Sequence, residues 1–393
     1  MFFELTEEQL AVQEAAREFA QNELLSGVIE RDRHMKYPTE QVRMMGELGF
    51  MGMMVSPEYG GSGMDTLSYV LAMEEISKVD SSCSVIMSVN NSLVCWGLEA
   101  FGTEAQKQKY LPKIASGETI GAFCLSEPEA GSDATSQRTT AIDMGDYYLL
   151  NGTKNWITNG GSSKIHLVIA QTDAEKGHRG INCFIVETDW DGVNIGAKED
   201  KLGIRASDTH TIMYNDVKVP KENRIGDDGF GFKFAMKTLN GGRIGIAAQA
   251  LGIAGGAYEL AVKYSKEREA FGKPISQHQA IAFKLADMAT DIEASKLLVY
   301  RSAWLKDQGM DYNMASSMAK VFASETAMKH TVEAVQIHGG YGFVKEYHVE
   351  RLMRDAKITQ IYEGTSEVQR IVISRSILKG QLYVPIFKEL EHA

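Results

Sequence analysis

The fold is decided by the stretch Tyr147–Thr158, which reads YYLLNGTKNWIT. Aromatic, leucine and threonine residues on either side of Asn-Gly favour two β-strands, and Asn-Gly is typical of a tight turn, so we predict a β-hairpin here. The runs 166–171, 182–186 and 209–214 are short strand candidates of the same kind. Strands at this spacing predict a β-sandwich or β-barrel that begins near Gly121.

Helical patterns lie on both sides of these strands. Capping-box patterns begin at Thr6 and Thr103, and the segments 281–303 and 314–337 carry apolar residues at helical spacing. We therefore predict a mostly α-helical chain with an inserted β domain. The predicted parts are an N-terminal α-helical domain over residues 1–120, a middle β domain over 121–228 and a C-terminal α-helical bundle domain over 229–393.

The composition limits the classes of partner. Of 393 residues, 41 are Lys or Arg and 52 are Asp or Glu, which gives a formal net charge of −11. Such an acidic chain disfavours nucleic acid and anionic membranes as partners. No run approaches the length of a membrane span, and no His-x-x-x-His or Cys-x-x-Cys pair predicts a metal site. The start, Met1–Leu5, lacks the features of a signal peptide, so we expect a bacterial cytoplasmic protein, with a processed mitochondrial matrix protein as the alternative.

One carboxylate near the C-terminus lies in an unusual setting. The segment Ile361–Thr365 places Glu363 between apolar and small residues, shortly after the glycine-rich run 339–342. Burial disfavours the charged form of a carboxyl, so we expect a raised pKa, which suits a base that removes a weakly acidic proton near neutral pH. The alternative, from these five residues alone, is a Glu that begins a helix beside a turn glycine.

Four other segments are candidates for contact with a ligand, and each has a simple structural alternative. The run 124–133 is rich in turn formers and hydroxyls, 155–161 ends a predicted strand with a Trp beside a Thr, and 268–273 offers a cation and an aromatic after a helix. The run 336–342 lets a backbone approach a ligand closely, but it lacks the Gly-x-Gly-x-x-Gly spacing of a Rossmann fold. The alternatives are an interdomain loop, a core Trp, a solvated helix end and, for His338, a structural histidine.

Taken together and in order, these segments resemble the acyl-CoA dehydrogenase family over nearly the whole chain. Within the family the chain is most similar to the short-chain, butyryl-CoA type, on residues 85–93 and 242–252. The resemblance implies FAD as the cofactor, a homotetramer, and a fold of an N-terminal helical domain, a middle β-barrel or sandwich domain and a C-terminal four-helix bundle. The matching residues are Leu125–Asp133, Trp156–Asn159, Arg268–Lys273, Gln336–Gly342, Met353–Lys357 and Ile361–Thr365.

The resemblance implies that Glu363 is the catalytic base. It would take the α-proton of butyryl-CoA while the β-hydrogen leaves as hydride to flavin N5, which gives crotonyl-CoA. Hydrogen bonds from the Glu363 backbone N–H and from a ribityl hydroxyl would stabilise the enolate, as an oxyanion hole does. The electrons would then pass to an electron-transfer flavoprotein.

The family pattern also implies contacts with the cofactor. Thr158 is expected near flavin N5, and Ser132 is expected to touch both the pyrophosphate and the substrate. The other flavin-ring contacts would be Phe123, Cys124, Leu125, Ser126, Trp156 and Ile157. The contacts with the adenosine half, from a neighbouring subunit, would be Arg268, Phe271, Gln279, Gln336, Ile337, His338, Gly339 and Gly340, and those with the flavin phosphates Thr365, Ser366 and Glu367.

Substrate contacts are implied at a turn and at Gly364. The turn consists of Asn240, Gly241, Gly242 and Arg243, and the short-chain pattern usually has Asp where this chain has Asn240. Isovaleryl and long-chain types carry their Glu on the helix near Arg243, where this chain has Gly242, so the base is expected at the C-terminal position. Met87, Leu93 and Trp96 would form a short apolar floor of the acyl pocket, and no cation in 85–96 suits a glutaryl group.

Three alternative functions stay open at this point. A close relative could reduce crotonyl-CoA in a bifurcating complex with an electron-transfer flavoprotein, and NADH-driven reduction would identify it. An oxidase would release peroxide during turnover. A non-catalytic acyl-CoA-binding scaffold would purify without flavin absorbance even after FAD is added.

Overall fold

The structure, a computed structural model, describes residues 4–384. Residues 1–3 and 385–393 fall outside this part, and with them most of the N-terminal stretch expected to lack a signal peptide and most of the tail 380–393, for which the sequence predicts only a terminal extension. In chain order the described part has helices, then strands, then helices again. This order confirms the predicted fold class, a mostly α-helical chain with an inserted β region.

Seven α-helices form the N-terminal region of the described part. The Thr6 and Thr103 side chains each accept a hydrogen bond from the backbone N–H three residues later, and the Gln at that position bonds back to the Thr backbone. Both predicted capping boxes are confirmed. The helices are α1 (Glu7–Phe19), α2 (Val28–Arg33), α3 (Thr39–Glu47), α4 (Thr66–Val79), α5 (Ser81–Ser88), α6 (Trp96–Phe101) and α7 (Glu104–Ala115), with π-helical turns at Ala20–Leu24 and Val89–Cys95.

The strands that follow form one mixed sheet. They are β1 (Gly121–Cys124), β2 (Thr140–Asp143), β3 (Tyr147–Thr158), β4 (Ile165–Gln171), β5 (Ile181–Glu187), β6 (Val193–Lys198), β7 (Thr209–Pro220) and β8 (Arg224–Ile225). Their order across the sheet is β6-β7-β3-β2-β4-β5-β8, and β1 pairs in parallel with β4. The strands predicted at 166–171, 182–186 and 209–214 are confirmed. Side chains of β1 to β5 and β7 share one apolar core, whereas Phe123, Leu167 and Ile185 pack with the helices.

The predicted hairpin at Asn151-Gly152 is wrong. The stretch Tyr147–Thr158 is a single strand, β3, which pairs with β2 on one side and β7 on the other. The register with β7 shifts between Leu150 and Gly152, which is the mark of a β-bulge. An added Cβ at Gly152 would lie 2.5 Å from Thr139 Oγ1, so this glycine allows close approach of a neighbouring segment. The two partner strands decide the conformation, and a local turn signal cannot report them.

Five α-helices and two short strands complete the described part. They are α8 (Gly231–Glu267), β9 (Glu269–Ala270), β10 (Lys273–Pro274), α9 (Gln279–Asp307), α10 (Asn313–His338), α11 (His348–Ile358) and α12 (Ser366–Leu378). The predicted helical segments 281–303 and 314–337 fall inside α9 and α10. Buried side chains of α4, α8, α9, α10 and α11 share one apolar core.

The long helix α8 contradicts the expectation that no run approaches the length of a membrane span. Its length and composition would suffice for one, but 83% of its most apolar window is buried inside the fold. Its glycines explain that burial, because they let another helix approach its backbone. An added Cβ at Gly252 or Gly256 would lie 2.3 Å from the carbonyl oxygen of Glu74 or Lys78 in α4.

Candidate active site

Glu363 lies in a tight turn between α11 and α12. The backbone φ is +51° at Glu363 and +90° at Gly364, so two consecutive residues adopt the left-handed region. A residue with a Cβ is strained there, and surrounding contacts must hold it. Thr365 then caps α12, because its hydroxyl accepts a hydrogen bond from Val368 N–H at 3.2 Å. The sequence left two alternatives open, and the geometry combines them: the residue precedes a helix beside a turn glycine, and its carboxylate still points into the interior.

The carboxylate of Glu363 is buried without a hydrogen-bond donor at one oxygen. Oε2 has no partner among residues 4–384. Burial raises the pKa of Glu363 to about 7, and the positive charges of Lys320 and Arg243 oppose that rise. A carboxyl with such a pKa is half ionised near neutral pH, which is the condition for a general base.

Gly242 of α8 faces this carboxylate directly. An ideal Cβ at position 242 would lie 2.1 Å from Glu363 Oε2 and 2.7 Å from Leu93 Cδ2. Any side chain here would therefore displace the carboxylate or Leu93. The two positions at which the resemblance places a base in different subfamilies point at the same spot, and only the C-terminal one carries a carboxylate in this chain.

The expected substrate-contacting turn at 240–243 instead lies within the N-terminal half of α8. Glycine's low helix propensity predicts a break, but packing of α8 on its neighbours overrides it. Arg243 is buried, and its Nη1 donates to Asn240 Oδ1 at 3.0 Å and to Asn313 Oδ1 at 3.2 Å. The side-chain oxygen of Asn240 therefore already accepts a hydrogen bond from a buried cation of the same chain.

Of the three expected floor residues of an acyl pocket, Leu93 lies beside the carboxylate, because an added Cβ at Gly242 would meet both of them. Leu93 belongs to the apolar cluster between the helices and the sheet, together with Phe123 and Tyr362, whereas Met87 packs in the helical core. Trp96 is half-buried, and the Lys306 ammonium lies 5.5 Å from the centre of its ring. This lysine, on α9, is a cation that the stretch 85–96 could not reveal.

The structure brings together the segments 123–126 and 156–158. Asn155 N–H donates to the Ser126 carbonyl at 2.9 Å, which ties the loop after β1 to the end of β3. Phe123, Cys124, Leu125 and Ile157 are buried, Ser126 and Thr158 are half-buried, and Trp156 is 61% exposed with φ +63°. An exposed indole on a strained backbone beside half-buried hydroxyls offers a surface for a flat ring. Ser132 lies exposed in the loop that follows.

A buried lysine holds the loop that follows β1 through hydrogen bonds. Lys154 Nζ is fully buried and donates to the Leu125 carbonyl at 3.1 Å, to Glu127 Oε1 at 2.7 Å and to Gln137 Oε1 at 2.6 Å. Burial lowers the pKa of Lys154 to about 8, and the Glu127 carboxylate opposes that shift. The loop is thus held in one conformation by a satisfied buried ion pair.

A second candidate region is a cavity of about 620 Å³ at the far end of α8. It is lined by five of the expected residues, Arg268, Ile337, His338, Gly339 and Gly340, and by aromatic rings that include Tyr264 and Tyr341. His338 stacks on Tyr264 at 4.2 Å and its Nδ1 lies 2.8 Å from the Ala334 carbonyl. Arg268 follows Gly242 by 26 positions along α8 and its C-terminal end, which corresponds to roughly 39 Å at the helical rise.

The remaining expected residues lie apart from the cavity lining. Phe271 is 96% exposed at the tip of the two-stranded β9–β10 hairpin, and Gln279 is exposed at the start of α9. Gln336 is exposed at the end of α10. At the base turn, Ser366 is buried and its hydroxyl has no partner within residues 4–384, while Glu367 is exposed.

Two residues that touch the base turn were not predicted from the sequence. Lys320 Nζ donates to the Gly364 carbonyl at 2.7 Å, and Gln369 Nε2 donates to the same oxygen at 2.8 Å. Lys320 lies on a face of α10 that otherwise carries small residues such as Ser317 and Ser324 at helical spacing. A lone lysine on such a face is the signal that would have found it, because lysines are rarely fully buried without a partner.

Comparison with known proteins identifies the family. Models of the acyl-CoA dehydrogenase N-terminal, middle and C-terminal domains match residues 6–118, 122–217 and 229–378. The short-chain specific acyl-CoA dehydrogenase of Clostridium acetobutylicum is 51% identical over 379 residues, which cover 96% of this chain and 100% of the relative.

Two solved structures have nearly the same fold. Butyryl-CoA dehydrogenase from Megasphaera elsdenii superposes with a TM-score of 0.95 at 49% identity, over 96% of this chain and 100% of that one. A chain from work on the electron transferring flavoprotein of Acidaminococcus fermentans and flavin-based electron bifurcation has the same TM-score at 53% identity, with the same coverage.

Proposed function

This chain belongs to the acyl-CoA dehydrogenase family, and we propose that it is a short-chain member that converts butyryl-CoA to crotonyl-CoA. It is an oxidoreductase acting on CH–CH bonds. The observation that carries the proposal is the buried Oε2 of Glu363, which has no hydrogen-bond donor in the described part of the chain and faces Gly242. Membership in the family indicates the type of reaction, and the Glu363 carboxylate is the proposed base that begins it.

The chemical task of this chain is to remove a weakly acidic α-proton. Glu363, with its pKa raised to about 7 by burial, is ionised often enough at neutral pH to accept that proton. Its backbone N–H donates to no acceptor within residues 4–384, so it is free to bond the thioester oxygen. Such a bond would strengthen as charge develops on that oxygen, which is the behaviour of an oxyanion-hole donor.

FAD is the cofactor that we propose, and relatives in this family are FAD flavoproteins. FAD, when bound, would accept the β-hydrogen as hydride. Trp156 and the segment 123–126 fit a flavin ring, because the indole is exposed beside a loop that Lys154 holds rigid. Thr158 and Ser126 offer hydroxyls to its edge, and Thr365, Ser366 and Glu367 stand where the phosphates would approach α12.

We propose that the cavity beside Arg268 binds the adenosine half of an FAD whose flavin ring lies in the site of a neighbouring subunit. Its separation of roughly 39 Å from Gly242 along α8 supports this, because one chain could not offer both ends to one cofactor through this helix. The exposed Phe271 and Gln279 would then meet the same cofactor. We therefore propose a homotetramer, in which each site takes residues from two chains.

The acyl group is proposed to lie against Leu93, with Ser132, Asn240, Gly241, Gly242, Arg243 and Gly364 along the substrate. The apolar side chain of Leu93 lies next to the carboxylate, where it would limit the depth of the acyl pocket beyond the base. A hydrophobic pocket discriminates only about 1–3 kcal/mol per methylene. We therefore expect activity to fall progressively beyond the four-carbon substrate.

The proposal extends to the partner, the location and the domains. An electron-transfer flavoprotein would accept the electrons, and a bacterial cytoplasm is the proposed location, as the bacterial relatives suggest. The proposed domain boundaries near residues 120 and 228 are supported by the three family models, because one boundary falls between 118 and 122 and the other between 217 and 229.

The test is turnover of acyl-CoA substrates of increasing chain length, with an electron-transfer flavoprotein as acceptor. Butyryl-CoA should give the highest kcat/KM, and a maximum at eight or more carbons, about twice the proposed length, would contradict the short-chain assignment. The second candidate, crotonyl-CoA reduction in a bifurcating complex, is favoured by the 53% identical chain from bifurcation work. NADH-driven crotonyl-CoA reduction with the cognate flavoprotein would establish it. Protein that stays colourless after FAD is added would instead indicate a binding scaffold.

A further inference from the structure

We propose that Lys320 is a positioning residue for the base: it holds the Gly364 carbonyl and thereby fixes the orientation of the Glu363 carboxylate. The inference rests on the proposed function, because it presumes that Glu363 is the base. It concerns a residue that lies outside all the expected cofactor and substrate contacts.

Lys320 is buried in a way that is unusual for lysine. Its side chain lies on α10 with no exposed area, and its Nζ donates to the Gly364 carbonyl oxygen at 2.7 Å. Buried lysines are normally paired with a carboxylate. Within residues 4–384, no carboxylate lies within ion-pair distance of Lys320, so its ammonium is directed to the backbone of the base turn.

The turn needs such support because of its backbone conformation. Glu363 and Gly364 both have positive φ, and a non-glycine residue keeps that conformation only when its surroundings hold it. Two side chains do so: Lys320 from α10, and Gln369 from α12, whose Nε2 donates to the Gly364 carbonyl at 2.8 Å and to the Glu363 carbonyl at 3.3 Å. The position of the carboxylate therefore depends on α10 and α12, which carry these two side chains.

Lys320 acts on Glu363 through its positive charge as well as through its hydrogen bond to the turn. Burial raises the pKa of Glu363. Of the two cations that oppose this rise, Lys320 has a stronger effect than Arg243. Burial also lowers the pKa of Lys320 to about 7, while Glu363 raises it again. The other groups that face this pair are Arg243 from α8, Tyr69 from α4, Tyr362 within the turn and Glu367 from α12.

The experiment compares three variants of the FAD-loaded enzyme. Lys320→Met keeps the length of the side chain and removes both the donor and the charge. We expect roughly a tenfold fall in kcat with little change in KM, because a small misplacement of a base is costly. The lower limb of the pH profile of kcat/KM should move up by about one unit, because a nearby cation no longer favours the carboxylate.

Two controls separate position from charge. Gln369→Leu removes a donor to the same carbonyl without a charge, so kcat should fall while the pH limb stays. Lys329→Met makes the same substitution nine residues along α10, at an exposed side chain, and should change neither. The infrared carboxyl band that is lost in Glu363→Gln reports the pKa of Glu363 independently of turnover.

The outcomes decide the proposal. A folded, flavin-loaded Lys320→Met enzyme with wild-type kcat and an unmoved pH limb would overturn it. If that variant does not fold, Lys320→Arg carries the test: it keeps the positive charge, so kcat should fall while the limb does not move up, and an upward displacement of the limb would refute the assignment. Wild-type turnover in Glu363→Gln would instead refute the proposed function itself, which keeps the two failures distinct.

Discussion

The turn that carries Glu363 and the cavity beside Arg268 lie near opposite ends of one helix, α8, and they are built in opposite ways. The turn is closed: its carboxylate is buried, two of its carbonyls are held by side chains, and Gly242 leaves no room for a Cβ. The cavity is open, and nearby Phe271 is 96% exposed. Under the proposed function, the chain would complete the reacting end by itself, and a neighbouring subunit would complete the other end.

The largest expected effect comes from removing the charge at the closed end. Glu363→Gln keeps the shape of the side chain and removes the base, so kcat should fall by about 10³–10⁴-fold. Flavin content, read from visible absorbance, should stay at the wild-type level because Gln keeps the shape of the turn and the proposed flavin contacts lie on other residues. Wild-type kcat in a flavin-loaded variant would show that the closed end is not the reacting end.

Crowding the closed end should have the next largest effect. In Gly242→Ala the new Cβ would lie 2.1 Å from Glu363 Oε2, so the carboxylate must move. Overpacking costs about 1–3 kcal/mol, and we expect kcat to fall roughly 10- to 100-fold. Gly255→Ala is the matched control on α8, because its Cβ would meet its nearest atom at 3.4 Å. Equal activity of the two alanine variants would contradict the close packing around the base.

A smaller effect is expected in the pH dependence of kcat/KM, which should report the buried carboxylate at the closed end. The base must be ionised, and burial places the pKa of Glu363 at about 7, so kcat/KM should be about tenfold lower at pH 6 than at its plateau. The sign follows from the carboxylate, since protonation on the acidic side removes the acceptor. A profile that is flat between pH 5.5 and 8, roughly the range around that pKa, would argue against a buried base.

The smallest expected effect lies at the open end. Arg268→Ala removes a cation from the cavity lining and should weaken FAD binding about tenfold, with kcat unchanged at saturating FAD. Dilution should release FAD more readily from this variant if a neighbouring subunit completes the site, and flavin fluorescence measures the release. Lys266→Ala, which removes a charge from the last turn of α8 outside the cavity, is the control. Loss of kcat at saturating FAD would mean that the open end takes part in the reaction.

Much of the fold could be predicted because its signals are local. The capping boxes at Thr6 and Thr103 fixed two helix starts, and the apolar spacing of α9 and α10 gave their extents within a few residues. Asn151-Gly152 failed as a turn because β2 and β7 pair on either side of it, and the sequence of one strand does not report its partners. The same reason explains the residues at 240–243, where packing around α8 keeps a glycine pair helical.

Glu363 could be singled out from the sequence because a carboxylate among apolar and small residues is costly to bury, and that cost is a property of the residues themselves. Its proposed role as base followed from the family resemblance of the whole chain. Only the tertiary structure decided that Gly242 faces its Oε2, that Lys320 and Gln369 hold its turn, and that the Arg268 cavity lies far away along α8. These are contacts between segments distant in sequence, so they depend on how helices pack rather than on any local pattern.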